Sequence, residues 1–315
     1  MIPVLVYGWY NQKNFGDDLF IDSFKTIFPE LNFTFTDHIT NEQLDAHEVV
    51  FFGGGSLLNQ DIKVDDFWKL DDKKIFYIGV GAETNISLLH KRLMERAKSI
   101  FIRSNDLHKV KELNKNCYII NDLVYSLKKK IVFSSKVERQ LLFIPNICVV
   151  PKWSNPYWQH TAWNHFKTEM AQTLDSFVTN EYNINCFPMC VNSELNDIHA
   201  MTEIMNSMKY GHKVKIDSMI TDMELVSNRY KNVEFILTQR YHGMILADLM
   251  KKPYVSIFHH DKLKQTNCRS IPYYGFYKDA CFKEINEALI KNLPSLPIGE
   301  DIVVYKKMIL ELMGA

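Results

Sequence analysis

From its first residue the chain alternates short, uninterrupted apolar runs with stretches in which apolar residues recur every three or four positions. The runs Ile2–Tyr7, Asn32–Thr36, Glu48–Phe52, Lys74–Ile78, Ser99–Ile102 and Cys117–Ile120 predict strands buried on both faces. Between them, Phe20, Phe24, Ile27 and Phe28 share one helical face, and Leu89, Leu93 and Ala97 recur every four residues. Strands that alternate with amphipathic helices predict the α/β class, with parallel sheets covered by helices on both faces.

Residues 123–140 lose this rhythm and carry a Lys/Ser-rich stretch near the midpoint, where an interdomain connection is expected. A second series follows, with strands near Leu141–Ile144, Ile184–Phe187, Lys213–Ile216, Glu234–Thr238 and Tyr254–Phe258 and helices near 163–179, 194–209, 220–230 and 241–250. Ile302, Tyr305, Ile309 and Leu312 stand at helical spacing and predict a closing C-terminal helix. The expectation is two doubly wound, Rossmann-like domains, 1–130 and 131–315, the second ending in that helix.

The 315 residues exceed what one hydrophobic core usually spans, and 46% hydrophobic against 23% charged residues suits two globular cores. Lys+Arg and Asp+Glu both number 37, so no net field draws the chain to polyanions and nucleic acid is not expected as a partner. Six scattered cysteines lack the density of a disulfide framework and point to a reducing, cytoplasmic setting. Cys186 and Cys190 lack the further ligands of a zinc set and read as core thiols. The first residues, Met1 to Gly8, read as a buried strand rather than a signal peptide. No apolar run reaches the roughly 18 residues of a membrane span, which leaves only peripheral membrane contact open.

Ligands of open parallel sheets sit outside the carboxyl ends of the strands, and the unusual residues of this chain fall there. The first strand leads through Asn14-Phe15-Gly16-Asp17-Asp18 into an amphipathic helix. One of the two aspartates can cap that helix, leaving the other for a hydroxyl or a proton. After the third strand, Gly53-Gly54-Gly55-Ser56 removes every Cβ that would keep a phosphate or carboxylate from the backbone, where a tight turn needs one glycine. Gly79-Val80-Gly81-Ala82-Glu83-Thr84 lacks the third glycine of a dinucleotide fingerprint, and no P-loop sequence occurs.

In the second half, the strand ending at Thr238 runs into Gln239-Arg240-Tyr241-His242-Gly243 and then a helix. A single arginine is usually a surface residue and a single histidine a satisfied core group. Two residues apart at a helix N-terminus, Arg240 and His242 instead form an anion site: a guanidinium fork, and an imidazole able to move a proton near neutral pH. As a residue exposed on a turn, Arg240 is expected to add little to stability. His259, His260 and Asp261 are adjacent in sequence and do not converge on one ion, so no metal is expected.

Asn14-Phe15-Gly16-Asp17-Asp18, Gly53-Gly54-Gly55-Ser56-Leu57, Ile78-Gly79-Val80-Gly81 and Arg240-Tyr241-His242-Gly243 followed by Lys251-Lys252-Pro253 resemble the polysaccharide pyruvyltransferase family. The likeness holds in order and spacing over most of the chain, with Asp122, Asp197 and Lys262 as further points of agreement. It implies a GT-B-like pair of Rossmann-like domains facing a cleft, phosphoenolpyruvate as donor, no cofactor, and a place in polysaccharide biosynthesis. It also implies that Arg240 and His242 serve donor binding and proton transfer, with Lys262 as a further cation. Where the family often has Arg-Asp-x-x-Ser after the fifth strand, this chain has Arg103-Ser104-Asn105-Asp106-Leu107, which keeps a changed acceptor or a non-catalytic, sugar-binding relative open.

The expected activity is transfer of a pyruvyl group onto a sugar hydroxyl, with a second hydroxyl closing a cyclic ketal. His242 is the expected acid and Asp17 the group that assists the hydroxyl. Arg240, Lys262, Arg103 and Gly53, Gly54 and Gly55 would hold the donor, and Asn14 completes the substrate-binding set. Trp153 and Trp158 offer indole faces to a sugar acceptor, which the expectation allows to be lipid-linked. The rival on the same architecture is a nucleotide-sugar glycosyltransferase.

Overall fold

The computed structural model of the chain describes residues 1–81, 85–103, 107–146, 156–192, 196–258, 270–272 and 299–314. They divide into two compact units. The first holds a six-stranded sheet of β1 (Ile2–Tyr7), β2 (Leu31–Thr36), β3 (Val49–Gly53), β4 (Lys74–Val80), β5 (Ser99–Ile102) and β6 (Cys117–Ile119), in the order β2-β1-β3-β4-β5-β6. Every pairing is parallel, and β3, whose residues are all buried, shows why such strands read as unbroken apolar runs. Helix α1 (Phe15–Ile27) lays the buried rings of Phe20 and Phe24 on this sheet, and Phe24 meets Phe33, Phe35 and Phe51. Helices α2 (Asn41–Ala46), α3 (Leu88–Arg96) and α4 (Leu107–Lys111) and, between β3 and β4, the 3₁₀ helix Phe67–Asp72 complete the crossovers. A polar contact lies within this core: Tyr77 Oη and His90 Nδ1 stand 2.9 Å apart, and burial pushes the His90 imidazole down to about 4.

The second unit carries the six-stranded parallel sheet β12-β11-β10-β7-β8-β9, from β7 (Gln140–Ile144), β8 (Asn183–Cys186), β9 (Val214–Ile216), β10 (Phe235–Thr238), β11 (Tyr254–Phe258) and β12 (Ser270–Pro272). Renumbered within the domain, this is the doubly wound order 3-2-1-4-5-6 of dinucleotide-binding domains, and its core packs α5 (Pro156–Thr179) and α6 (Asp197–Ser207) on the sheet. The helices α7 (Met223–Tyr230) and α8 (Tyr241–Leu249) follow β9 and β10. The short edge strand β12 is absent from the sequence prediction. No helix among the described residues is long and apolar enough to cross a membrane.

The expected domain 131–315 does not keep its C-terminal helix. Contacts place the described end of the chain, 299–314, in the first unit, and Lys13–Phe15 in the second. The reason lies in specific packing that helical periodicity cannot encode. Glu300 pairs with Ile120 at the sheet edge, the Tyr305 ring packs tilted against Tyr118 and Phe101 at 4.9 and 5.3 Å, and Lys306 meets Glu30 at 2.9 Å. Helix α9 (Lys306–Met313) ends where the Met313 carbonyl accepts from Lys74 Nζ at 2.8 Å. The Lys/Ser-rich stretch at the midpoint begins as a 3₁₀ helix, Leu123–Lys130, with Leu123, Val124 and Leu127 buried.

Candidate functional site

In a doubly wound sheet the crevice lies where neighbouring strands send their connections to opposite sides. In the first domain that point falls between β1 and β3, where Gly8 and Gly53–Gly55 leave the sheet. The structure gives each glycine of the triplet a packing reason. A Cβ on Gly53 would lie 2.4 Å from the Phe24 ring and one on Gly54 2.2 Å from Phe20, while Gly54 and Gly55 hold φ of +73° and +74°. The Gly54 N–H donates to the Ile78 carbonyl at 3.0 Å, and the Gly55 carbonyl accepts from the Gly81 N–H at 2.9 Å. All three glycines therefore have a packing or backbone reason in the fold, where a tight turn was expected to need only one.

Asp17 stands against this turn. Its Oδ1 would be 2.9 Å from a Cβ on Gly55. Because α1 begins at Phe15, both Asp17 and Asp18 lie inside its first turn and neither is the expected N-cap. A carboxylate at the turn disfavours a second anion and suits a hydroxyl donor. Beneath it, the buried Tyr10 hydroxyl donates to the Gly53 carbonyl, and burial, then the charge of Asp17, holds this phenol well above its usual range. Gly8 makes room, since a Cβ there would meet the Tyr10 ring at 2.6 Å.

Arg103, at the end of β5, is not presented as an open cation. Its Nη1 donates to Asp122 Oδ2 at 2.5 Å, with side-chain exposures of 1% and 0%, and its Nη2 reaches Ser56 Oγ at 3.4 Å. Asp122 also accepts from the Val124 N–H at 3.0 Å, which fixes the chain after β6. The buried pair thus ties the end of β5 to the residues after β6 and, through Ser56, to the glycine turn.

The corresponding point in the second domain lies between β7 and β10, and Arg240 and His242 leave β10 there. The Gln239 N–H donates to Ile144 O at 2.8 Å while its side chain accepts from the Asn146 N–H at 3.0 Å, which ties the two strand ends together. Thr238 Oγ1 accepts from the Arg240 N–H at 3.0 Å as the chain enters α8, and a Cβ on Gly243 would strike that oxygen at 2.2 Å. Tyr241 and His242 stack edge to face at 5.3 Å, and His242 is half-buried.

Arg240 is not the exposed turn residue expected from its neighbours. Its side chain is 14% exposed and its Nη2 donates to Oδ1 of fully buried Asp197 in the first turn of α6. Asp197 Oδ2 accepts from the Met189 and Cys190 N–H groups at 3.0 and 2.9 Å. Burial raises the Asp197 carboxyl, and the Arg240 charge and these hydrogen bonds pull it back. The same segment receives Asn14: Asn14 bridges Cys190, Phe15 N–H donates to Met189 O at 2.7 Å, and the Phe15 and Phe187 rings meet at 5.4 Å.

The predicted residues thus form separate groups: Asp17 with Gly53, Gly54 and Gly55, and Asn14 with the Asp197–Arg240 segment preceding His242. Lys262 and Trp153 lie outside the described residues, as does the side chain of Trp158, whose backbone belongs to α5. Sequence reasoning passed over Tyr10 and Gln239. The signal for Tyr10 was Gly8, a glycine two residues before an aromatic at a strand end, whereas nothing local marks Gln239.

The fold is similar to that of MnaA from S. aureus in its UDP co-structure, with a TM-score of 0.61, 11% identity, and 100% of this chain and 98% of that one covered. It is also similar to the UDP-GlcNAc 2-epimerase of Methanocaldococcus jannaschii, at 0.59 and 10%, and to Anabaena Alr3699/HepE in complex with UDP-glucose, at 0.56 and 10%, both chains being covered over 100% in each case. At these identities the likeness is one of fold: α/β, GT-B-like, with two Rossmann-like domains. No curated protein matches the sequence. The profile of the polysaccharide pyruvyl transferase family matches residues 14–260, from the segment that bridges Cys190 to the end of β11 and beyond. With both switch-point turns inside a match of that extent, the chain belongs to the polysaccharide pyruvyl transferase family, a family of transferases.

Proposed function

We propose that the protein moves the pyruvyl group of phosphoenolpyruvate onto hydroxyls of a sugar in a polysaccharide or its precursor, closing a pyruvate ketal. The observation that carries this reading is the seat of Arg240 and His242 at a switch point and at the head of α8, with Arg240 held by buried Asp197. Phosphoenolpyruvate presents a carboxylate and a phosphate, which a guanidinium fork at the positive end of a helix suits. Lys262 is proposed as a second cation for the donor, and Trp153 and Trp158 as platforms for the acceptor ring.

In this reading His242 gives a proton to the methylene carbon and makes the adjacent carbon electrophilic. A sugar oxygen bonds to that carbon, and its proton passes to Asp17, whose place beside Gly55 suits a hydroxyl donor. The phosphate then leaves with the electron pair of its carbon–oxygen bond and takes up the proton held by Asp17, which restores the carboxylate. A second hydroxyl adds, and its proton returns His242 to the starting state. The products are the ketal and inorganic phosphate. A cytoplasmic site of action belongs to the same proposal and is supported by the free, buried thiols of Cys117 and Cys186.

The test is to incubate the protein with phosphoenolpyruvate and a panel of lipid-linked and nitrophenyl sugars, following phosphate release and the mass of an added pyruvyl group. Structures of the same fold hold UDP or UDP-glucose, so UDP is the control ligand. At a hundredfold excess over Kd, a ligand of the folded state stabilises it by about 2.7 kcal/mol. In domains of about 150 to 250 residues that gain raises the melting temperature by roughly 5 to 11 °C. Phosphoenolpyruvate is expected to give this shift. A shift with UDP and none with phosphoenolpyruvate would replace this reading with a nucleotide-sugar glycosyltransferase.

A further inference from the structure

Asp197 does two separable things with its two oxygens. Oδ2 accepts from the Met189 and Cys190 N–H groups, while the Asp197 N–H donates to Cys190 O at 2.8 Å, so this oxygen closes the chain between β8 and α6. Oδ1 faces the Arg240 guanidinium. Asn196, the preceding residue, caps α6 by accepting from the Ile198 N–H at 3.0 Å, so the helix start has its own support. A carboxylate with no exposed side-chain surface is expensive to bury, and loop closure alone needs only an acceptor, which an amide oxygen provides. The negative charge is required by the arginine.

We infer that Asp197 is a positioning residue for donor binding: it fixes the planar guanidinium of Arg240 in the orientation that meets an anionic group of phosphoenolpyruvate. A guanidinium is rigid and forked, so restraint at one nitrogen orients the whole group. A long, unrestrained side chain must instead be ordered when the ligand arrives, which weakens binding. The inference rests on the proposed function, because it takes phosphoenolpyruvate as the ligand of Arg240.

Asp197→Asn separates the two oxygens. The amide oxygen can continue to accept from Met189 and Cys190, which turns the amide nitrogen, a donor, toward Arg240. Phosphoenolpyruvate affinity is measured by calorimetric titration for wild type, Asp197→Asn, Arg240→Gln and the double variant, with Asn196→Ala as a control that weakens only the helix start. The expected result is about a tenfold loss for Asp197→Asn in the wild-type background and less than about twofold in the Arg240→Gln background. Asn196→Ala should melt lower and bind as wild type does. Equal losses in both backgrounds, or an unchanged Kd in Asp197→Asn, overturn the inference and leave Asp197 a structural residue. A wild-type protein that binds no phosphoenolpyruvate overturns the proposed function as well. If Asp197→Asn does not fold, Asp197→Ser, which removes the charge while keeping an acceptor oxygen, takes its place in the same cycle with the same criteria.

Discussion

Replacing Arg103 by alanine removes one half of an ion pair whose side chains are 1% and 0% exposed. The Asp122 carboxylate then stays buried with its Val124 N–H contact at 3.0 Å but without its cation. Breaking such a pair on one side costs about 3–5 kcal/mol, because the remaining charge loses its partner and gains no water. For a domain of about 150 to 250 residues each kcal/mol lowers the melting temperature by roughly 2–4 °C, so the first domain should melt roughly 6–20 °C lower. Calorimetry would follow that transition, and the double variant Arg103→Met/Asp122→Leu supplies the control. It replaces both charges with apolar groups and should recover all but about 1 kcal/mol, the worth of the lost Val124 contact. Phosphoenolpyruvate affinity, measured below the melt, should stay within about threefold of wild type. An Arg103→Ala protein that melts with wild type but no longer binds phosphoenolpyruvate would refute this reasoning and return Arg103 to the role expected from its sequence position.

Two further outcomes test the site and the core. His242→Ala should lower turnover by about 10²-fold or more with little change in phosphoenolpyruvate affinity, measured by single-turnover kinetics and titration; an equal loss of both would make His242 a binding residue. His90 titrates near 4 when folded, below the ordinary 6.5 of an unfolded histidine, so its contribution to stability is present above pH 6.5 and is lost as pH falls toward 4. Urea midpoints at pH 7 and pH 5 should therefore show wild type losing about 2 kcal/mol more than His90→Gln, and identical losses would contradict a neutral, buried imidazole.

The strands were legible because both sheets are parallel and covered on both sides, so each strand is a continuous apolar run: Ile2–Tyr7 and Ser99–Ile102 have the same limits in sequence pattern and structure. Arg240 and His242 were legible as a pair because two unusual residues at one strand end are a local signal. Which groups answer them was not. Asp197 lies 43 positions before Arg240, and Asp122 lies 19 after Arg103; burial turns each arginine from an apparent surface cation into half of a pair, and burial is a property of the folded chain alone. The C-terminal helix failed in the same way, since Ile302, Tyr305 and Ile309 state that it has an apolar face but not which domain receives it. The glycine triplet was legible as unusual, but its packing was not. Its ligand reading assumed that a turn needs only one glycine, while Phe20 and Phe24, a full helix away in the apolar stripe of α1, press on Gly54 and Gly53. The same aromatic stripe that made the helix easy to predict therefore fills the space above Gly53 and Gly54, while the half-buried Asp17 of that helix faces Gly55.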